Sequence, residues 1–384
     1  MAYQGFDTLS VGRLFKTVLP DYIREVEQAH LRKRAFSALM DIKGKIKYNC
    51  GGNGFHWNVK SRYHQLRQYT GTQRRTFTSL DPFEQANLSY GGYEVTDAMN
   101  ERERMLAANG GEATIINYYD DFLESLGVSI NEQVGPQYFN DGSTAANANY
   151  WHGLDTLFQG TQTINASVAT TTARTANAAD IYYAPAGSYA ALTQTLGNYG
   201  GAQEVGVNWP DGNADPEYDF WSSIHINATS TALNVGGTGN TFFAQGEEAI
   251  GLGISKILRN RNSNGGLTHL FMGPTWFETY KRIQRNKQRI IVGADSELTN
   301  AGFRQNSFLT DDGVEVVNEY QIGAEEAYGV TFEEIELRCV FDSMFSPQGP
   351  FYDEEDDEHR VAIRNLSQLK FGSPRCFLKL TDTI

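Results

Sequence analysis

The spacing of apolar residues predicts one long helix from Thr96 to Val134. In its second half the apolar residues recur at spacings of four, three and four, which forms one stripe along a helix: Ile115, Tyr119, Phe122 and Leu126. Thr96 has the side chain of an N-cap, and Asp97 suits the positive helix end. Gly110 and Gly111 disfavour the helix by about 2 kcal/mol relative to alanines. We therefore expect the helix to bend there, or two helices to abut. The segment is either an ordinary core helix or the spine of an assembly protein.

A long β-hairpin is predicted between residues 51 and 93. Apolar residues alternate with polar ones on its first strand, at Phe55, Trp57 and Val59, and recur on the return strand, at Phe77, Leu88 and Tyr90. The tip, with the sequence TGTQRR, is polar and basic. A hairpin of this length cannot bury both faces on its own body, so we expect it to reach another molecule.

An α/β unit is predicted further along the chain. Residues 241–261 carry apolar residues on one helical face, at Phe243, Ile250, Ile254 and Ile257. The following LTHLFMG segment predicts a buried strand, in which His269 is a core residue. Thr275 and Glu278 have the spacing of a capping box that opens a helix through Lys287. Residues Ile290 to Val292 predict the next strand.

Strands dominate from Phe308 onwards. A hairpin is predicted around the turn Asp311-Asp312-Gly313. Two long segments, FEEIELRCVFDSMF and HRVAIRNLSQLKF, flank the loop SPQGPFYDEEDDE and are expected to pair as antiparallel strands. The segment SPRCFLKL predicts a last core strand. Residues 159–240, rich in Ala, Thr, Asn and Gly, predict short strands and loops.

The charge is distributed unevenly along the 384 residues. Residues 1–75 contain fourteen Lys/Arg and five Asp/Glu, whereas the remainder contains eighteen and forty-one, so that the net charge of −14 combines a basic start with an acidic bulk. This asymmetry is typical of a nucleic-acid-binding arm or of self-association between copies. Three widely spaced cysteines indicate a reducing compartment. The sequence contains no run of about 18 apolar residues, so no membrane span is predicted. The first residues do not predict a secretory signal.

Motifs for enzyme chemistry are missing from the sequence. It contains no GxxxxGK[ST], HExxH, CxxC or GxSxG segment, so neither a cofactor nor a catalytic residue is predicted. Asp211, Asn213, Asp215 and Glu217 alternate like the first ligands of a calcium loop. A proline, however, occupies the position where such a loop needs its turn glycine. The acidic run 353–358 is a solvated loop, a weak cation site or a clamp for basic groups on a neighbouring copy. An enzyme that uses carboxylate pairs stays an alternative.

The order of these parts resembles the major capsid proteins of tailed bacteriophages, which share the HK-97-like fold. The resemblance rests on the basic start, the long hairpin, the long helix, the run GEEAIGLGISKILRNRNSNGGLTHLFMGPTWFETYKRI, and the strands around the acidic loop. It implies an α+β fold with an N-terminal arm (1–50), an extended loop or E-loop (51–93), a peripheral or P domain with the spine helix (94–140 and 328–372) and an α/β axial or A domain (141–327 and 373–384).

The same resemblance implies a structural protein that forms the hexamers and pentamers of a DNA-filled head, in the virion, assembled in the host cytoplasm. Some members join an E-loop lysine to a P-domain asparagine; here Lys60 is the hairpin's only lysine and the loop 346–358 has no asparagine, so no cross-link is expected. The short arm predicts a separate scaffolding protein, alongside a portal and cement proteins as partners. The expected subunit contacts are basic residues of the hairpin and the acidic run: Lys60, Arg62, Arg67, Arg74, Arg75, Asp353, Glu354, Glu355, Asp356, Asp357 and Glu358. A bend at Gly110 and Gly111 would let one subunit suit pentamers and hexamers.

Overall fold

The computed structural model describes residues 34–60, 71, 72, 74, 77, 79, 81–102, 118–147, 149–159, 161–163, 182–185, 187–194, 202–204, 207–208, 221–230, 233, 241–260, 266–286 and 307–382. Several predictions concern residues outside these ranges: the bend at Gly110 and Gly111, Ile115, Arg62, Arg67, Arg75, the carboxylates at 211–217, and the strand Ile290 to Val292. The side chains of Tyr119 and Phe122 are also outside the described set.

The described elements form an α+β arrangement in which four helices are set among runs of consecutive strands. The described helices are α1 (Ala35–Ile42), α2 (Tyr118–Gln137), α3 (Phe242–Asn260) and α4 (Pro274–Asn286). The described strands are, in chain order, β1 (Ile46–Lys47), β2 (Phe55–Lys60), β3 (Phe83–Leu88), β4 (Gly91–Asn100), β5 (Thr161–Thr163), β6 (Tyr182–Pro185), β7 (Ser188–Tyr189), β8 (Leu192–Thr193), β9 (Ala202–Glu204), β10 (Val207–Asn208), β11 (Ile224–Asn227), β12 (His269–Met272), β13 (Ser307–Leu309), β14 (Glu315–Asn318), β15 (Glu326–Val330), β16 (Ile335–Cys339), β17 (Ser346–Asp353), β18 (Glu358–Phe371) and β19 (Leu378–Thr381).

The long strand β18 organises a five-stranded sheet. It pairs in antiparallel fashion with β4, β17 and β16, and β1 adds in parallel to β16. The predicted pairing of the segments around the acidic loop is therefore confirmed. The loop itself is more ordered than expected, because its residues 346–353 form strand β17. Alternating apolar positions on β18 explain how one face of the sheet is buried while the other carries polar residues.

An eight-stranded sheet has the order β13-β14-β12-β15-β19-β11-β6-β5. Strands β12 and β14 are parallel neighbours, helix α4 follows β12 in the chain, and helix α3 packs across the sheet near β11 and β19. The predicted hairpin at Asp311–Gly313 is confirmed as the β13–β14 pair, and Gly313 adopts the positive φ of 81° that its turn requires. The predicted buried strand β12 and last strand β19 are also confirmed, both with every residue buried.

The start of the predicted spine helix is wrong. Residues Thr96 and Asp97 lie in strand β4, where they pair with Ala362 and Val361 of β18. Helical backbone is described at residues 101–102 and again from Tyr118 in α2. Ten consecutive register pairs with β18 outweigh the weak helical preference of this segment. Thr96 is therefore not an N-cap.

The second half of the predicted spine is confirmed as helix α2. Its buried Leu126 and Ile130 pack with Val361 and Ile363 of β18. The half-buried Val134 extends the same stripe by a further step of four residues. The helix therefore covers one face of the five-stranded sheet.

Two local predictions for the α/β unit need correction. In α3 the buried aromatic residue is Phe242, which stacks on Trp276 with ring centroids 4.2 Å apart, whereas Phe243 is 42% exposed. Ile250, Ile254 and Ile257 are buried as expected. Helix α4 begins at Pro274, so Thr275 lies inside the first turn and is not the N-cap.

A buried histidine makes the fold sensitive to acid. Burial and, next, the charge of Lys379 lower the pKa of His225 to about 3, and its Nε2 lies 2.9 Å from Thr381 Oγ1. The folded pKa is below the unfolded value of about 6.5, so the stabilisation is complete above that pH and is lost as the pH falls towards 3, by about 1.4 kcal/mol per pH unit. We expect His225→Gln to flatten this dependence in urea unfolding between pH 6.5 and 4. Parallel curves for the two proteins would contradict this expectation.

Candidate interaction surface

The predicted hairpin is confirmed in part, as the two-stranded sheet of β2 and β3. Phe77 and Tyr90 lie outside its return strand, and residues 91–93 belong to β4. Its register runs from Phe55 opposite Leu88 to Lys60 opposite Phe83. The end near Phe55 is buried, whereas the other end is exposed: Phe83 is 56% exposed and Phe77, further along, is 89% exposed. The hairpin therefore has a packed root and a distal part that presents aromatic rings to solvent.

Two cations of the five-stranded sheet hold the hairpin root. The guanidinium of Arg338 lies 5.0 Å from the ring centroid of Phe55, and the ammonium of Lys370 lies 4.9 Å from that of Trp57. Partial burial lowers the pKa of Lys370, which is consistent with a cation covered by an indole ring. Such contacts contribute about 0.5–2 kcal/mol each, so they hold the root of the hairpin against the five-stranded sheet.

Removing the indole ring should loosen the root without unfolding the body. Trp57→Ala is expected to accelerate amide hydrogen exchange in β2 about tenfold, because the lost contacts with Lys370 and Tyr189 are together worth on the order of 1.4 kcal/mol. His56→Ala, at the exposed neighbouring position, is the matched control and should leave exchange unchanged. Equal exchange rates in both variants would show that the root is held by something else.

The acidic run forms the tip of a second hairpin, made by β17 and β18. Asp353 ends β17, Glu358 begins β18 opposite it, and residues 354–357 make the turn between them. Asp357 closes the turn with a φ of 54°, a left-handed conformation that aspartate tolerates better than most residues. Phe351 and Tyr352 precede the turn and are 60% and 51% exposed. The tip therefore presents six carboxylates next to two exposed aromatic rings.

Arg360, in strand β18 beside the turn, neutralises part of the negative charge of this tip. Its guanidinium nitrogens lie 2.5 Å from an oxygen of Asp353, 2.5 Å from one of Asp356 and 3.8 Å from one of Glu358. The turn is also fastened by the hydroxyl of Tyr352, which donates to Asp357 Oδ1 at 2.8 Å. One guanidinium cannot balance six carboxylates, and Glu354 and Glu355 are exposed at the apex. The tip keeps an excess of negative charge.

The tip is tied to the segment that follows β4. The backbone N–H of Glu101 donates to the carbonyl of Asp357 at 3.0 Å, and its buried carboxylate lies 2.6 Å from His359 Nε2. Residues 101–102 are helical. The acidic tip is therefore anchored to the residues that follow β4.

The structure brings some of the predicted contact residues together and separates others. The six acidic residues 353–358 form one tip, whereas Lys60 and Arg74 lie exposed on the other hairpin. Sequence reasoning missed Arg360, Glu101 and the cation pairs at the hairpin root. Arg360 had a signal, since it follows the acidic run by two residues and faces back across a tight turn. The other contacts join residues far apart in the chain and leave no local pattern.

A groove of about 230 Å³ separates helix α2 from strand β4. Val95, Ile130, Val134 and Phe345 contribute apolar surface, and Glu94 is the carboxylate among its lining residues. That carboxylate lies 2.5 Å from Arg364 Nε, and so it is engaged in an ion pair. The residues described around this groove do not provide the convergent carboxylate pair of a hydrolase.

The described residues carry no metal cluster of the usual kind: they bring together no group of three or more histidine, cysteine or acidic side chains that could hold an ion. Among the described helices, none is both long and apolar enough to cross a membrane. All three cysteines are free thiols, and burial raises the pKa of Cys339 to about 11, so this side chain is protonated at neutral pH.

Comparison with known proteins gives matches in structure. The chain is similar to the capsid asymmetric unit of cyanophage A-1(L), with a TM-score of 0.59, 12% identity and coverage of 96% of this chain and 98% of that one. It is similar to the capsid of a native GTA particle (TM-score 0.54, 10% identity, coverage 99% and 100%) and to the capsid of the Myoviridae phage XM1 (TM-score 0.52, 12% identity, coverage 94% and 96%). No family model matches the sequence, and no curated protein matches it. The similarity, over nearly the whole of each chain, confirms the α+β capsid fold expected from the sequence.

Proposed function

We propose that this chain is the major capsid protein of a tailed bacteriophage, a structural protein whose copies assemble as hexamers and pentamers into an icosahedral head around double-stranded DNA. The observation that carries the proposal is the similarity in fold to capsid proteins over 94–99% of the chain. The exposed hairpin supports it independently. Aromatic rings exposed on a strand pair that leaves the body are unfavourable in a monomer and gain free energy when another copy covers them.

The proposed parts of the subunit follow the expected order. Residues 1–50 are the arm, 51–93 the E-loop, 94–140 and 328–372 the P domain, and 141–327 with 373–384 the A domain. The cation pairs at the root and the exposed aromatic rings beyond it support the E-loop assignment, because the hairpin is held at one end and open to solvent at the other. The acidic β17–β18 tip belongs to the P domain in this arrangement.

The proposed contact joins opposite charges of neighbouring subunits. The hairpin contributes Lys60, Arg62, Arg67, Arg74 and Arg75, and the neighbour contributes the carboxylates of residues 353–358 beyond those bound by Arg360. Surface ion pairs are individually weak, about 0–1 kcal/mol. Repetition around a closed shell makes such weak contacts sufficient while it still lets misplaced subunits dissociate.

The further partners are proposals from the same resemblance. A scaffolding protein guides assembly in the host cytoplasm, a portal occupies one vertex, and cement proteins bind the outer surface of the virion. Packaged DNA meets a shell whose acidic bulk limits tight binding, because the two charges have the same sign. No covalent cross-link between subunits is expected, so boiled particles should run as single chains on a denaturing gel.

Size-exclusion chromatography with light scattering, followed by negative-stain microscopy, separates the proposed function from its two alternatives. A capsid protein should elute as rings, sheets or shells of many copies. A nucleic-acid-binding protein with a basic arm should elute as a small species that shifts on adding DNA. An enzyme should elute as a small species that is indifferent to DNA. A purely monomeric protein under all salt and crowding conditions would contradict the capsid proposal.

A further inference from the structure

Helix α1 lies at the junction of the two sheets. Its Phe36 is 1% exposed, and its ring centroid lies 5.1 Å from Tyr138, 5.2 Å from Phe271 and 5.7 Å from Phe332. Tyr138 follows helix α2, Phe271 belongs to strand β12 of the eight-stranded sheet, and Phe332 precedes strand β16 of the five-stranded sheet. A single aromatic side chain therefore touches both halves of the body.

The start of α1 is capped by a residue from far along the chain. Arg34, at the N-cap position, makes no side-chain cap. Instead the carboxylate of Glu319, which directly follows β14 and is 1% exposed, accepts the backbone N–H of Phe36 at 3.1 Å. The first turn of a helix leaves N–H groups without partners and attracts negative charge, so this carboxylate satisfies both needs. Burial raises the pKa of Glu319, and the N–H groups of Phe36 and Gln321 oppose that shift.

Arg34 fastens the same point to the spine. Its guanidinium lies 2.8 Å from the carboxylate of Glu132 in α2. The amide of Gln321, in the orientation that satisfies both its ends, accepts from Arg34 Nε at 2.8 Å and donates to the carbonyl of Gly135 at 2.9 Å. The root of the N-terminal segment, the end of α2 and the loop after β14 therefore meet in one polar cluster beneath Phe36.

We propose that this cluster of Arg34, Glu132, Glu319 and Gln321, here called the arm-root junction, sets the angle between the two sheets and thereby the curvature of the assembled shell. Glu319 acts as its positioning residue. The inference rests on the proposed capsid function. A closed shell of fixed size requires each subunit to hold a narrow range of shapes, and the junction is where described contacts join α1, α2 and both sheets.

The test separates curvature from simple stability with three variants. Glu319→Gln keeps an acceptor oxygen of the same reach, Glu319→Leu removes it, and Val316→Ala removes core volume from the neighbouring strand β14, where Val316 is 0% exposed. Particle diameter is measured by electron microscopy, and the thermal midpoint by calorimetry. We expect wild-type diameters from Glu319→Gln and Val316→Ala. Glu319→Leu should instead give several diameter classes or open sheets, even if its thermal midpoint is lowered no more than that of Val316→Ala.

A fourth variant decides the outcome if Glu319→Leu does not fold. Arg34→Gln leaves the cap of α1 intact and breaks the link to Glu132, and it should also broaden the distribution of diameters. Wild-type diameters from every folded junction variant would overturn the proposal, as would the same aberrant particles from Val316→Ala. Failure of the wild-type protein to form particles is a different result, because it contradicts the capsid function itself.

Discussion

Replacing Trp151 with alanine is expected to lower the free energy of unfolding by about 3–5 kcal/mol, the range for large aromatic residues removed from a core. The side chain is 0% exposed, and its ring centroid lies 5.1 Å from Tyr93 and 5.3 Å from Tyr138. Its indole N–H donates to the hydroxyl of the buried Ser367 at 3.0 Å, so the variant also leaves that hydroxyl without its donor. Urea unfolding of unassembled subunits measures the loss.

The adjacent residue provides the control for this experiment. Tyr150 is 40% exposed, and its ring stacks on Tyr93 with the ring centroids 5.6 Å apart. Tyr150→Ala should cost only about 0.5–1.5 kcal/mol, the value of one aromatic pair. Equal losses for the two neighbours would contradict the assignment of Trp151 as the buried anchor between β18 and the residues after α2.

The double substitution Arg74→Glu and Arg75→Glu is expected to abolish assembly at physiological salt. Arg74 lies exposed on the hairpin, and the change replaces two attractions to the acidic tip of a neighbour by two repulsions. Each subunit contact need lose only about 1.4 kcal/mol for its equilibrium constant to fall tenfold, and the loss repeats at every contact in a shell. Sedimentation measures the fraction of protein in particles. A normal yield of particles from this variant would contradict the proposed contact.

A charge exchange tests whether those arginines meet this particular tip. Glu354 and Glu355 are exposed at its apex, so Glu354→Lys with Glu355→Lys should leave the Arg360 contacts in place. Combined with the two arginine substitutions, the lysines should restore assembly, because each pair again has opposite signs. Rescue by raised salt alone, without the exchange, would indicate general repulsion between hairpins and not this contact, since salt screens any exposed charges.

Strand β4 shows where sequence reasoning reached its limit. Between residues 93 and 98 the half-buried Tyr93, Val95 and Asp97 alternate with exposed neighbours, which is a strand pattern. The segment also runs into a row of charged residues that suit a helix, and an N-cap at Thr96 was a consistent interpretation. The deciding interaction is the ladder with β18, more than 250 residues away, which no local pattern reveals.

The order of the larger elements was predictable because each has a strong local signal. The hairpin β2–β3, helix α3 and the strands around the acidic run all follow from alternation or helical spacing. The contacts that fix these elements to one another were not predictable. Phe55 contacts Arg338, and the backbone N–H of Phe36 donates to Glu319. In each pair the two residues are 283 positions apart in the chain, so only the fold brings them together. Likewise, Phe242 and Phe243 are chemically alike, and only packing against Trp276 selects the first for the core.

In the proposed shell the hairpin is a contact between subunits. A cryo-electron microscopy reconstruction of assembled particles tests it most directly, at a resolution that traces side chains. We predict that residues 71–79 of each copy lie against a different copy, with the Arg74 guanidinium within ion-pair distance of a carboxylate from residues 353–358. A particle in which the hairpin folds back onto its own subunit, or extends into solvent, would contradict the account.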